Sequence, residues 1–183
     1  METREIGTKT KWGIDKTHSE IEFKIKHLMI SNIKGSFKEF DGSIYTTGEN
    51  FMSSEIDFCL NPASIQTGDE ERDKHLKGAD FFDVTNHKKI TFVGDSFVKV
   101  DRVGHYELYG GLTIKGITKQ IKLHVEFGGM MKDSWGNEKV GFTIHGLIDR
   151  NDWDLTWNSS LQAGGLLLSE QVAISCEVQL IKQ

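Results

Sequence analysis

From Glu20 to Lys26 the chain sets Ile21, Phe23 and Ile25 against Glu22, Lys24 and Lys26, and the same two-residue alternation returns through most of its length. A period of two places alternate side chains on opposite faces of an extended strand, so such a segment has one buried face and one wet face. Ile33, Gly35 and Phe37 continue the pattern. The phase then slips, because Phe40, Gly42 and Ile44 fall on even numbers. A one-residue slip with glycine nearby predicts a β-bulge. Ile56, Phe58 and Leu60 share the next face, and Asn61-Pro62 ends that strand.

Ile90 and Phe92 open a strand running through Val98 and Val100 to a turn near Asp101 to Gly104. Tyr106, Leu108, Gly110, Leu112 and Ile114 form one face of its successor. Lys115-Gly116 then reads as a tight hairpin turn into Ile117, Ile121, Leu123, Val125 and Phe127. Gly128 to Asn137 reads as a loop. Val140, Phe142, Ile144 and Ile148 alternate with Lys139, Thr143 and His145; Asn151 to Glu170 is irregular; Val172, Ile174, Cys176, Val178 and Leu180 share the face of the last strand. The sum is about eight or nine long strands in an all-β chain. Strands of this kind lose their exposed edges by closing on themselves or by packing as a sandwich. Eight strands in a barrel leave an interior that side chains can fill or that one slim ligand can occupy.

One stretch breaks the alternation. After a turn at Thr67-Gly68, Asp69, Glu70 and Glu71 bring carboxylates to what would be a first helical turn, where unpaired N–H groups carry partial positive charge. Glu70 to Lys74 and Asp73 to Lys77 have the i, i+4 spacing of helix-surface pairs. Lys77-Gly78 reads as a stop, with the glycine free to take a left-handed cap. The expectation is one short helix over about residues 69–77, delivering Phe81-Phe82 directly after it.

At 183 residues the chain suits one domain with a sizeable core. A net charge of −5 lacks the basic surface a nucleic-acid partner requires. Cys59 and Cys176 fall at strand positions and read as small hydrophobes without a disulfide. No apolar run follows Met1-Glu2-Thr3-Arg4-Glu5, so neither a signal peptide nor a membrane span is expected, and the expected location is cytoplasmic.

Several motifs together resemble the YceI-like family. They are Trp12-Gly13-Ile14-Asp15 with His18-Ser19, Gly35-Ser36-Phe37 with Phe40-Asp41-Gly42, and Ser64-Ile65, Thr67-Gly68, Arg72-Asp73, His75-Leu76 and Phe81-Phe82-Asp83, the last run being the most specific. Ile90-Thr91-Phe92, Gly111-Leu112-Thr113-Ile114, Trp135-Gly136, Gly141-Phe142, Arg150 and Asp152 follow in the family's order. The likeness runs from Lys11 to Leu180. It departs from the family at His87-Lys88, where an aromatic-proline step is common, and at Trp153-Asp154, where an aromatic-glycine pair is usual. The resemblance implies a closed, antiparallel, eight-stranded, lipocalin-like β-barrel over residues 11–183, behind an N-terminal extension of residues 1–10. It also implies an elongated pore holding a polyisoprenoid, an isoprenoid quinone or a fatty-acid-like lipid, as carrier, store or sensor, and no cofactor.

The inward faces offer Phe23, Ile25, Phe37, Phe58, Phe92, Leu112, Ile114, Phe142 and Ile144, with Phe81 and Phe82 from beyond the helix. Alternation leaves open whether these fill a core or line a pore. His18, Arg72 and His75 are candidates for a polar head group, arginine because its planar fork pairs with phosphate oxygens. The competing reading has Arg72 and Asp73 fixing the helix to the barrel. An enzyme acting on a lipid or quinone through Arg72, Asp73 and His75 is the alternative function, and a homodimer formed through an exposed edge or loop is a third reading. No nucleophile elbow, helical zinc motif, phosphate-binding loop or dinucleotide fingerprint is present. His124 and His145 would need the fold to converge before they could hold a metal.

Overall fold

A computed structural model describes residues 8–183. The strands are β1 (Lys9–Ile14), β2 (Glu20–His27), β3 (Ser31–Phe37), β4 (Phe40–Thr47), β5 (Asn50–Leu60), β6 (Ile65–Gln66), β7 (Ile90–Lys99), β8 (His105–Ile114), β9 (Ile117–Lys132), β10 (Glu138–Asp149) and β11 (Leu168–Lys182). One helix, α1 (Glu70–Lys77), stands between β6 and β7. The ring β1-β4-β5-β7-β8-β9-β10-β11 closes on itself through β1–β11, and every pairing is antiparallel. The long β11 carries β1 beside its C-terminal end (Ile14 opposite Leu180) and β2 beside its N-terminal part (Ile25 opposite Val172). β1 and β2 are thus two halves of one wall strand, and β3 and β4 of another. The architecture is a closed eight-stranded barrel.

The breaks in those walls have local chemical causes. Between β1 and β2 the buried Asp15 carboxylate accepts from Thr17 N–H (3.1 Å), Thr17 Oγ1 (2.7 Å), His18 Nδ1 (2.9 Å), Gln179 Nε2 (3.1 Å) and Lys139 Nζ (3.3 Å). Five donors on one carboxylate hold the corner. Between β3 and β4 the backbone N–H groups of Lys38 and Glu39 turn to Ser64 Oγ (3.1 and 3.0 Å), so Phe37 and Phe40 both face inward despite their odd and even numbers. The phase slip is therefore a break between two strands, not the β-bulge that the sequence predicts. At Gly110 a Cβ would stand 2.4 Å from Val93 O and 2.5 Å from the Phe92 ring, so only glycine allows that approach. The β8–β9 hairpin turns at Lys115 (φ 50°) and Gly116 (φ 74°), both left-handed as a type I′ turn requires.

Four further expectations need correction. β1 carries no clean alternation and begins at Lys9, inside the expected 1–10 extension; residues 1–7 of that extension lie outside the described residues. β9 continues through Gly128 to Lys132, pairing with β10 after a bulge, so the loop shrinks to 133–137 around the Asp133 carboxylate. Gly78 is extended (φ −75°, ψ 178°) instead of left-handed; the helix ends through Phe82 N–H donating to Leu76 O (3.0 Å). Finally, neither i, i+4 pair of α1 forms an ion pair. Asp73 Oδ1 accepts from Thr67 N–H (2.9 Å) and Oγ1 (2.6 Å) instead, because that carboxylate faces the chain entering the helix.

Asp69 is the N-cap of α1, accepting from Arg72 N–H at 2.9 Å. Cys59 and Cys176 are free thiols, and burial pushes that of Cys176 up to about 12. No helix among the described residues is long and apolar enough to cross a membrane.

Candidate functional site

The barrel is hollow. A cavity of about 580 Å³ runs through its interior, within the ~300–1,000 Å³ range of ligand pockets. Its lining is predominantly aliphatic and aromatic because most inward strand positions are apolar, Ser54 of β5 and His27 of β2 being exceptions. Phe23, Ile25, Phe37, Phe58, Phe81, Phe82, Phe92, Leu112, Ile114, Phe142 and Ile144 each line it. The pore-or-core question left by alternation therefore resolves geometrically: the same side chains pack on one another and border open space. Phe81 and Phe82 enter from below α1, Phe82 edge-on to Phe37 at 5.9 Å between centroids.

The two ends differ. At one end Trp12, fully buried, packs on Phe51 (5.3 Å), which meets Phe142 edge-on (5.3 Å); Phe97 stacks on Tyr106 (4.7 Å) and touches Phe142. Trp12 Nε1 donates to Thr46 Oγ1 at 3.1 Å, so its one polar atom is satisfied and the ring stays put. This aromatic floor closes the pore. At the other end the lining turns polar: His27 from β2, Glu71, Arg72 and His75 from α1, and Arg150 and Trp157 from the segment between β10 and β11. Exposed Glu71 carries the lining out to solvent, which makes this end the mouth.

Of the polar candidates, the structure brings Arg72 and His75 to the cavity and leaves His18 away from it. His18 is mostly exposed at the β1–β2 corner, bound to Asp15. Arg72 Nε donates to Thr67 Oγ1 and Nη2 to Thr67 O, each at 2.7 Å, leaving Nη1 without a protein partner. Two of its five N–H groups thus hold the helix, and three remain for another partner. His75 sits edge-on to Trp157 (4.7 Å) and Phe81 (5.2 Å), with Nε2 2.9 Å from Asp80 Oδ2.

Ser64, Asp73 and His75 do not form a nucleophile–base pair. Ser64 Oγ donates to Asn61 O (2.7 Å) and accepts from Lys38 and Glu39, while Asp73 is taken by Thr67. A nucleophile needs a base within hydrogen-bond reach, and Ser64 has none. His124 and His145 do converge, directly opposite each other across β9 and β10, but no group of three metal-ligating side chains forms among the described residues.

Two further residues stand at the mouth. Trp157, which with Trp153 reads from the sequence either as the cover of a barrel end or as a loop anchor, borders the cavity. Arg150, quoted above only as a motif match, is 3% exposed and borders the cavity. The signal for both was an arginine followed by two tryptophans in a stretch without alternation, which marks a segment folded back on the barrel.

The comparisons with known proteins agree on this architecture. The model of the YceI-like domain matches residues 12–180. A UPF0312 protein of Staphylococcus epidermidis is 36% identical over 171 residues, covering 93% of this chain and 96% of the relative. Among solved structures, BcnA of Burkholderia cenocepacia superposes with a TM-score of 0.78 at 19% identity, over 91% of this chain and 98% of that one. A polyisoprenoid binding domain from Saccharophagus degradans, implicated in plant cell wall breakdown, does so with a TM-score of 0.65 at 15% identity, over 94% and 98%. At those identities the two structures are evidence of a shared fold.

Proposed function

The chain belongs to the YceI-like family, and on that premise we propose that it binds one long-chain apolar molecule, an isoprenoid or a lipid of similar length, inside its barrel. A single observation carries the reading: the interior is an open apolar cavity with one aromatic end and one polar end. The similarity of its fold to a polyisoprenoid binding domain supports the same class of ligand.

The energetics favour selection by length. Burying a methylene contributes about 0.8 kcal/mol, so a five-carbon isoprene unit gives roughly 3–4 kcal/mol gross. Eight units would pass the practical ceiling near −18 to −21 kcal/mol, so ordering costs absorb much of that sum. Affinity therefore rises with each unit only until the chain meets the floor at Phe51 and Phe142. Carriage or storage is the reading that the open apolar cavity favours over catalysis.

Native mass spectrometry of the purified protein, with lipid extraction, tests the reading. The expected result is a co-purifying apolar molecule, or saturable quenching of tryptophan emission by added isoprenoid alcohols, reported by Trp157 at the mouth. A folded protein that carries no lipid and ignores those alcohols overturns it.

A further inference from the structure

Arg150 is the one buried cation among the described residues, and none of its hydrogen-bond partners carries a charge. Its Nε donates to Ser169 O at 2.9 Å; its Nη1 donates to Leu155 O and to Trp157 O, the latter at 2.8 Å. A guanidinium has five N–H groups, and these three bonds consume the one on Nε and both on Nη1. Both N–H groups of Nη2 have no protein partner among the described residues. Yet no buried side-chain nitrogen there is left unpaired, so Nη2 keeps contact with open space. The space Arg150 borders is the cavity.

All three partners are neutral carbonyls. No carboxylate among the described residues lies within ion-pair distance of Arg150. Asp149 and Glu170 act on it only through space, against a burial that lowers its pKa. Removing a charge from water without a counter-charge is among the costliest arrangements in a protein interior, and an arginine cannot escape by losing its proton. Packing the side chain between β10, β11 and the intervening segment needs no charge. A site that maintains one at the polar end of the pore, with Arg72 on the same lining and Glu71 an exposed carboxylate there, is matched to a ligand that brings a negative charge.

We propose that Arg150 Nη2 is the recognition point for a carboxylate, so that the resident ligand is a long-chain acid whose head sits at the polar end of the pore. The inference rests on the lipid-binding reading above and names the head group of that ligand. The two N–H groups of Nη2 match the paired oxygens of one carboxylate, whereas a diphosphate would have to draw on the three free N–H groups of Arg72 at the same mouth as well.

The experiment compares cis-9-octadecenoic acid with its primary alcohol on the full-length protein at pH 8, by calorimetry or competition against a fluorescent lipid. The acid is expected to bind at least tenfold more tightly than the alcohol. In Arg150→Gln that ratio collapses to about one, whatever the change in binding common to acid and alcohol. Should Arg150→Gln fail to fold, a second readout stands on the unmodified chain: the carbon-13 carboxyl resonance of the labelled acid, which is expected to titrate lower when bound than when free. Equal affinity for acid and alcohol, a bound carboxyl that titrates normally, or tighter binding of farnesyl diphosphate than of the acid each overturn the proposal. If isoprenoid alcohols bind and the acid does not, this inference alone fails. If no long-chain probe binds at all, the lipid-binding reading falls first.

Discussion

Asp15 shows how one side chain can hold a barrel corner. Burial by itself would raise its pKa, but hydrogen bonds from Thr17, His18 and Lys139 outweigh that and hold the carboxyl well below the usual carboxylate range. A depressed pKa in the folded state means stability that is complete above the unfolded value near 4 and lost as pH falls toward the folded one. Asp15→Asn is therefore expected to lower stability by about 1–3 kcal/mol at neutral pH, the usual range for losing a buried charged acceptor. Lys139 retains Asp133 at 3.6 Å, so the loss is confined to the corner. Denaturant unfolding at pH 7 and pH 3 checks the sign: the gap between the two proteins should narrow at pH 3. A gap independent of pH would mean that the ionised form contributes nothing. Gly35 gives a second residue-scale prediction. A Cβ there would lie 2.3 Å from the tip of the Phe23 ring, a side chain that can swing into the cavity. Gly35→Ala should keep the barrel folded and cut affinity for a long-chain probe, roughly tenfold, by narrowing the pore.

Among the elements, α1 stands apart because none of its residues is fully buried. Its fastening is Thr67, which serves Asp73 through N–H and Oγ1 and Arg72 through Oγ1 and O. Thr67→Ala removes the hydroxyl from both partners, and amide exchange over α1 should speed up by about tenfold, equivalent to about 1.4 kcal/mol of local stability. Exchange in β8 should not change; if it does, the helix belongs to the barrel's cooperative unit. The helix was legible because its cap, first-turn carboxylates and length are local properties. Its i, i+4 pairs were not, since Asp73 is claimed by a residue outside the helix. Strands with one wet face declared themselves by alternation. By contrast β1 is fixed mainly by Trp12 and by pairing with β4 and β11, which no local pattern reveals. The end of β9 is likewise extended because β10 lies beside it, with glycines and exposed methionines where a buried face would be. The pore lining could be read from inward positions. The burial of Arg150 could not, because the carbonyls of Leu155, Trp157 and Ser169 meet only once the segment has folded back.

At the scale of the whole molecule, closure gives this barrel a fixed depth. The ring closes through β1–β11, so widening it as a whole would break ladders of hydrogen bonds, those between β5 and β7 (residues 56–60 against 90–94) and between β3 and β6 (Ser36 and Phe37) being short ones. Its length is set by side chains at the floor, and Phe51 belongs to that floor: half-buried, bordering the cavity, and backed by Trp12. Phe51→Ala should cost about 2–3 kcal/mol of stability, somewhat under the ~3–5 kcal/mol of a fully buried phenylalanine, and should deepen the pore. With a series of isoprenoid alcohols of increasing length, affinity in the natural protein should climb with each unit and then level off. In Phe51→Ala the plateau should move by about one isoprene unit. Trp157→Ala, at the mouth, provides the control, since a change there weakens every chain length by a similar factor and leaves the plateau in place. Competition measured by native mass spectrometry separates the two patterns. If Phe51→Ala shifts all lengths equally, the aromatic end does not limit the ligand, and the pore would instead have to admit chains that leave through its mouth.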